Sequence, residues 1–152
     1  MRQCCCQNQF LIPMMETKGN SLILHHVGCV TKNIEKAKDT YINQLGFKNV
    51  SETFTISGQD VKICFIETSP GVYLELVEPL SGNPFLIEVL KSKNPYYHTG
   101  YLANNFNDTL QSLLQRKFYL VSQFHSEAFE NRQCAFLYTP EMHLIELIEN
   151  NR

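Results

Sequence analysis

The sequence predicts an α+β fold in which two paired βαβββ modules form a curved, barrel-like mixed sheet around a central cavity. Three observations carry that expectation. Strand-like and helix-like periods follow one another as β, α, β, β, β in the first half of the chain. The second half repeats that order. A shift of 72 residues, without a gap, lays His26, Gly28 and Asn33 on His98, Gly100 and Asn105, so that HVGCVTKNI faces HTGYLANNF.

The elements follow from the amino end. MRQCCCQNQFLIPMM has one Arg, an apolar piece broken by Pro13 and no small-residue cleavage site, so it reads as neither signal peptide nor transmembrane helix. Residues 1–20, including Cys4-Cys5-Cys6, are expected to be a disordered or loosely attached tail, and Met14 or Met15 is a candidate start of translation because patterned sequence begins only at Leu22. A single domain is expected over 21–150, with module one at 21–79, a connector at 80–94 and module two at 95–150.

Ser21 to Val30 is β-rich. IEKAKDTYINQL then places Ile34, Ala37, Tyr41, Ile42 and Leu45 at helical spacing, with Asn33 as cap and Gly46 as stop. Lys48 to Ile56, Val61 to Glu67 and Val72 to Glu78 read as strands, separated by Ser57-Gly58 and by Ser69-Pro70-Gly71. The connector holds one short amphipathic piece, Pro84 to Leu90. In module two, Phe106, Leu113 and Leu114 take the places of Ile34, Tyr41 and Ile42; at a shift of 71, VYLELVE meets HLIELIE, with Glu75 on Glu146 and Glu78 on Glu149.

Composition narrows the function by exclusion. The chain has 152 residues, 43% hydrophobic and 18% charged, with 13 basic against 15 acidic side chains. That is enough to bury roughly two-thirds of the unfolded surface without disulfide staples. A net charge of −2 with scattered basic residues gives no footprint for nucleic acid, and no membrane segment is expected. Six cysteines without a scaffold spacing point to a reducing, cytoplasmic compartment, and Cys29, Cys64 and Cys134 read as small core hydrophobes. Neither a phosphate-binding Gly-rich loop nor a Gly-x-Ser-x-Gly elbow occurs.

The repeat points to a site. Modules paired about a pseudo-twofold turn equivalent residues toward one another across a shared cavity. The equivalent polar pairs inside apolar strands are His26 with His98 and Glu75 with Glu146. Alternation puts Tyr73, Glu75 and Val77 on one strand face and Leu74 and Leu76 on the other. A carboxylate in a strand apolar on both sides needs a partner or an ion. Two imidazoles and two carboxylates suit a first-row divalent ion and would leave coordination positions open for substrate, as catalytic sites do. His25 is expected on the opposite strand face from His26, His143 in a structural place, His125 in a loop, and Glu78 and Glu149 in solvent.

These residues resemble the vicinal oxygen chelate (glyoxalase/bleomycin resistance/dioxygenase) superfamily, and within it the methylmalonyl-CoA epimerases most, then glyoxalase I. LHHVGCVTKNIEKAKDTYINQLGFK is similar to the opening strand and helix, VYLELVEPLSGNPF to the segment bearing the second ligand, and FLYTPEMHLIELIE to the closing hairpin; together they span Leu22 to Glu149. The resemblance implies metal ligands at His26, Glu75, His98 and Glu146, a divalent ion (Zn, Co, Ni, Mn or Fe), and Glu146 as both ligand and catalytic base. It also implies a metal-dependent isomerase or lyase that stabilises an enolate or enediolate of a small carbonyl compound or acyl thioester. Where the epimerases have a second catalytic acid, this sequence reads Val61-Lys62-Ile63-Cys64, and Phe124 to Gln133 stands in place of a Gly-rich approach to the late hairpin. The alternative is a binding protein of the same fold that sequesters a drug, as resistance members do, generally without the ligands. An iron dioxygenase is disfavoured because Glu75 would be surplus to two histidines and one carboxylate. Paired modules of this kind often bury an apolar face in a homodimer.

Overall fold

The computed structural model describes residues 22–151, and the expectations for the tail, its cysteine triplet and Met14 or Met15 lie outside them. Eight strands form one mixed sheet in the order β2-β3-β4-β1-β5-β8-β7-β6, with three helices. Module one contains β1 (Ile23–Val30), α1 (Ile34–Asp39), β2 (Phe54–Ile56), β3 (Val61–Ser69) and β4 (Val72–Pro79). After α2 (Pro84–Lys91), module two contains β5 (Tyr96–Ala103), α3 (Phe106–Gln115), β6 (Tyr119–Ser126), β7 (Arg132–Tyr138) and β8 (Leu144–Glu149).

The duplication read in the sequence is present in the pairing. β1 runs parallel to β4 and β5 parallel to β8, while β1 and β5 join the modules as an antiparallel seam. Val27 faces Thr99 at that seam, and a local twofold passes between them. The sheet curls so that its two ends, β2 and β6, approach the same opening.

Helices α1 and α3 close the convex side, while α2 packs through Leu86 against Val61, Ile63 and Val77. Asn33 caps α1 by accepting from the Lys36 amide at 2.8 Å, as its sequence position suggests. Ile34 of α1 packs with Cys29, Cys64, Ile66, Leu74 and Leu76 of the sheet; Phe106 and Leu110 of α3 pack with Leu137 and Leu147 among others. The strand parity proposed for Val72 to Glu78 holds, since Leu74 and Leu76 pack under α1 while Val77 joins Val61 and Ile63 on the concave side.

Two elements differ from expectation. The α-helix ends at Asp39 and continues to Gln44 as a widened turn, with the Leu45 amide bonded to the Thr40 carbonyl at 3.1 Å. Widening lets both Tyr41 and Phe47, rings 6.3 Å apart, reach the cluster below before Gly46 stops the helix at φ +80°. The expected strand from Lys48 shrinks to Phe54–Ile56 with one isolated bridge at Val50, because the Ser51 hydroxyl accepts the Phe65 amide in place of a backbone carbonyl. No helix among the described residues is long and apolar enough to cross a membrane.

Candidate metal centre

Two rows of cross-strand neighbours cross the concave face. Glu75 of β4, Gly28 of β1 and His98 of β5 form one; His26 of β1, Gly100 of β5 and Glu146 of β8 form the other. The local twofold exchanges them. Each has glycine at its middle for a physical reason: a Cβ on Gly28 would clash with the His98 ring, and one on Gly100 with the His26 ring. The space for each imidazole is therefore made by the opposite module.

This register brings the four predicted ligands together. All four are buried, His26 completely. The two histidine Nε2 atoms stand 2.8 Å apart. Glu146 Oε2 lies 3.2 Å from His26 Nε2 and 3.7 Å from that of His98; Glu75 Oε2 lies at 3.5 and 3.4 Å. Ligand atoms of His26, His98 and Glu146 all fall within 4.8 Å of one another, and Glu75 approaches the same two nitrogens. Adjacent ligands about an ion with bonds of about 2.0–2.2 Å would be separated by roughly 3 Å, so the cluster is of the right size.

Its charge also fits. Among the described residues no Lys or Arg pairs with either carboxylate. Two buried carboxylates whose ionic partners among the described residues are imidazoles alone call for a cation, and nitrogen with carboxylate oxygen suits a divalent first-row ion. Burial pushes Glu75 up to about 7, with His26 opposing and Glu146 adding to the rise. Burial would also raise Glu146, but hydrogen bonds from His26 and His98 outweigh it and hold that carboxyl well below the usual range.

His25 is not on the opposite face from its neighbour. Leu24 pairs with Tyr101 and His26 with Gly100, leaving His25 as the extra residue of a β-bulge, and the bulge breaks the alternation assumed from sequence. Its Nδ1 lies 2.9 Å from Nδ1 of His26, and its ring sits among Phe65, Tyr73 and Phe129. Burial, then the His26 charge, lowers its pKa to about 4. The seam is irregular again between Gly28 and Cys29, whose partners are His98 and Tyr96, so Tyr97 is the bulged residue of module two. His25 and Tyr97 are themselves 72 positions apart, yet a bulge leaves no mark in residue type by which either could be recognised.

The carboxylates border a small void lined also by Val61, Ile63, Tyr97 and Phe136. Ile56, Gln59, Tyr97 and Phe136 separate it from a cavity of about 720 Å³ that opens between the edge strands. Burial, reinforced by the nearby Glu75 and Glu146 charges, keeps the Tyr97 phenol protonated far above its ordinary range. The larger cavity has Phe85, Phe124, Phe136 and Tyr138 in its walls and no Lys or Arg among the described lining residues.

Other sequence readings divide. Cys29, Cys64 and Cys134 are buried free thiols, as expected. Val61-Lys62-Ile63-Cys64 brings no carboxylate to the cavity. His143 is an exposed turn residue whose amide donates to Thr139. His125 belongs to β6 and lines the large cavity, so it is not a loop residue: the polar run around it pairs with β7 through the backbone. Glu78 and Glu149 are not free in solvent. Glu78 accepts from the Ile34 amide at 2.8 Å and from Lys62 at 3.3 Å, and Glu149 accepts from the Gln133 amide at 3.2 Å. Glu78 thus meets the first amide of α1, and Glu149 a backbone amide of β7.

Residues 25–136 match the model of the Glyoxalase/Bleomycin resistance protein/Dioxygenase superfamily. No curated protein matches the chain. Among solved structures, a hypothetical protein from Bacillus halodurans superposes with a TM-score of 0.76 at 22% identity, covering 87% of this chain and 96% of its own. Methylmalonyl-CoA epimerase from Mycobacterium tuberculosis gives 0.75 at 19%, covering 90% and 94%. A Streptomyces coelicolor methylmalonyl-CoA epimerase in complex with 2-nitronate-propionyl-CoA gives 0.72 at 19%, covering 87% and 100%. At such identities the likeness concerns the fold.

Proposed function

The chain belongs to the Glyoxalase/Bleomycin resistance protein/Dioxygenase superfamily, and on that premise we propose that it is a metal-dependent isomerase or lyase acting beside a carbonyl group. The observation that carries the reading is the convergence of His26, Glu75, His98 and Glu146 from four strands at the end of a cavity. The substrate is a small carbonyl compound or an acyl thioester.

His26, Glu75, His98 and Glu146 would hold one divalent ion of the Zn, Co, Ni, Mn or Fe group. When bound, that ion supplies Lewis acidity for the negative charge developing on a substrate oxygen. Glu146 takes the proton from the carbon beside the carbonyl, leaving an enolate or enediolate, and returns it to the same or the adjacent carbon. Ile56, Val61, Ile63 and Phe136 exclude water from the carboxylate pair, and that dry setting strengthens each electrostatic contact. Tyr97, at the neck between void and cavity, offers a protonated hydroxyl to the substrate oxygen. The aromatic wall, without Lys or Arg among its described residues, favours an apolar acyl or carbonyl portion, with any anionic carrier lying outside.

A drug-sequestering role has no observation in its favour at a site with four metal-ligating side chains. The three buried free thiols support a cytoplasmic setting.

The test is metal analysis of purified protein joined to proton exchange in deuterated solvent. The wild type should take up about one divalent ion and wash out the α-proton of hydroxyketone or acyl-thioester analogues; Glu146→Gln should lose that exchange. Absence of metal uptake, or of exchange across such a panel, would reject the enzyme.

A further inference from the structure

We propose that His25 is a positioning residue: its Nδ1 accepts the Nδ1–H of His26 and thereby holds His26 in the one neutral tautomer whose Nε2 lone pair faces the metal centre. The inference rests on the metal reading above and concerns His25, to which that reading gives no role.

The bulge in β1 decides where the His25 ring lies. A regular strand would send His25 toward the convex side, under the helix. The extra residue between Leu24 and His26 turns its ring to the concave side instead. There three aromatic rings hold it, with centroids 4.9 Å away for Tyr73, 5.3 Å for Phe129 and 6.0 Å for Phe65. The result is a 2.9 Å approach between the two Nδ1 atoms.

Proton counting then decides the direction of that bond. A neutral imidazole has one N–H and one lone pair, and ligation through Nε2 consumes the lone pair there. The N–H of a ligating His26 must then be on Nδ1, where His25 Nδ1 stands at bonding distance. His25 must therefore accept at Nδ1 and keep its own N–H on Nε2. The reverse arrangement, with His25 donating, would put the His26 proton on Nε2 and remove the ligand.

The two ligating histidines are consequently unequal. His98 Nδ1 is buried without a hydrogen-bond partner among the described residues. Its bulge neighbour, Tyr97, meets it ring to ring with centroids 4.4 Å apart. One ligand has its tautomer held from behind; the other is placed by packing alone.

The closing experiment measures Co²⁺ affinity, by competition with a chelator, for wild type, His25→Phe and His25→Asn. Phe preserves the aromatic packing and removes the acceptor, whereas Asn loses the ring and offers an amide oxygen. We expect Phe to weaken Co²⁺ about 10- to 100-fold, the usual loss for a residue that orients a ligand, and Asn to remain close to wild type. Packing as the sole role predicts the opposite order and would overturn the proposal, as would equal affinities in all three. Nitrogen-15 NMR of the unsubstituted, Zn-loaded protein gives a readout independent of variant folding: N–H on His26 Nδ1 and on His25 Nε2 supports the inference, and N–H on His25 Nδ1 overturns it. Failure of wild type to bind Co²⁺ would sink the metal reading with it, while normal wild-type binding with an unaffected Phe variant would sink this inference alone.

Discussion

Gly100 stands directly across the seam from His26, and the imidazole fills the volume that any side chain at position 100 would need. Gly28 has the same relation to His98. Gly100→Ala should therefore displace a ligand as well as crowd the sheet. We expect a stability loss of about 1–3 kcal/mol by urea unfolding and at least a tenfold weaker hold on Co²⁺. A crystal structure of the variant with His26 unmoved would refute the account.

Metal removal should lower stability, since an ion that binds only the folded chain adds free energy to it. At free metal about a hundredfold over its dissociation constant the gain is about 2.7 kcal/mol. For a domain of this size that corresponds to a rise in Tm of roughly 5–10 °C. Scanning calorimetry with added Zn²⁺ and then with chelator checks it, and identical traces would speak against a site formed by folding.

Glu78 gives a prediction remote from the chemistry. Its carboxylate caps α1 by accepting from the Ile34 amide and is met by Lys62. Glu78→Ala should cost about 1 kcal/mol, as loss of a helix cap does, while Glu78→Gln retains an acceptor and should cost less. Co²⁺ affinity should be unchanged in both.

Val121 lies on edge strand β6 in the wall of the large cavity and is 49% exposed. Val121→Trp should leave stability within about 0.5 kcal/mol of wild type. If the substrate enters between β2 and β6, the same change should raise KM for α-proton exchange severalfold with kcat and metal content little altered. An unchanged KM would place the entrance elsewhere.

Much of the fold was legible because duplication leaves a periodic signal: two strands each bearing a histidine two residues before a glycine, and two each bearing an inward glutamate. Those four candidate ligand positions come from comparing the chain with itself, and the register places them together. What was not legible depends on backbone irregularity and on contacts distant in sequence. Alternation placed His25 wrongly because a bulge adds a residue without changing residue type. Glu78 read as solvated because the amide it caps is 44 positions earlier in the chain. Gly28 and Gly100 were visible as part of the repeat, but that each makes room for the other module's histidine appears only once β1 and β5 are paired.

The exchange of sockets across the seam bears on how such a chain can change over generations. Neither half owns a complete binding pocket, because every imidazole sits in a recess supplied by its counterpart. A bulky replacement at position 28 would injure the second half's ligand and leave its own half's histidine in place. The two halves are thus free to drift at their rims but are tied to one another at four positions along β1 and β5. A single half-length chain carrying His-x-Gly could build the same arrangement by meeting a second copy of itself along that edge.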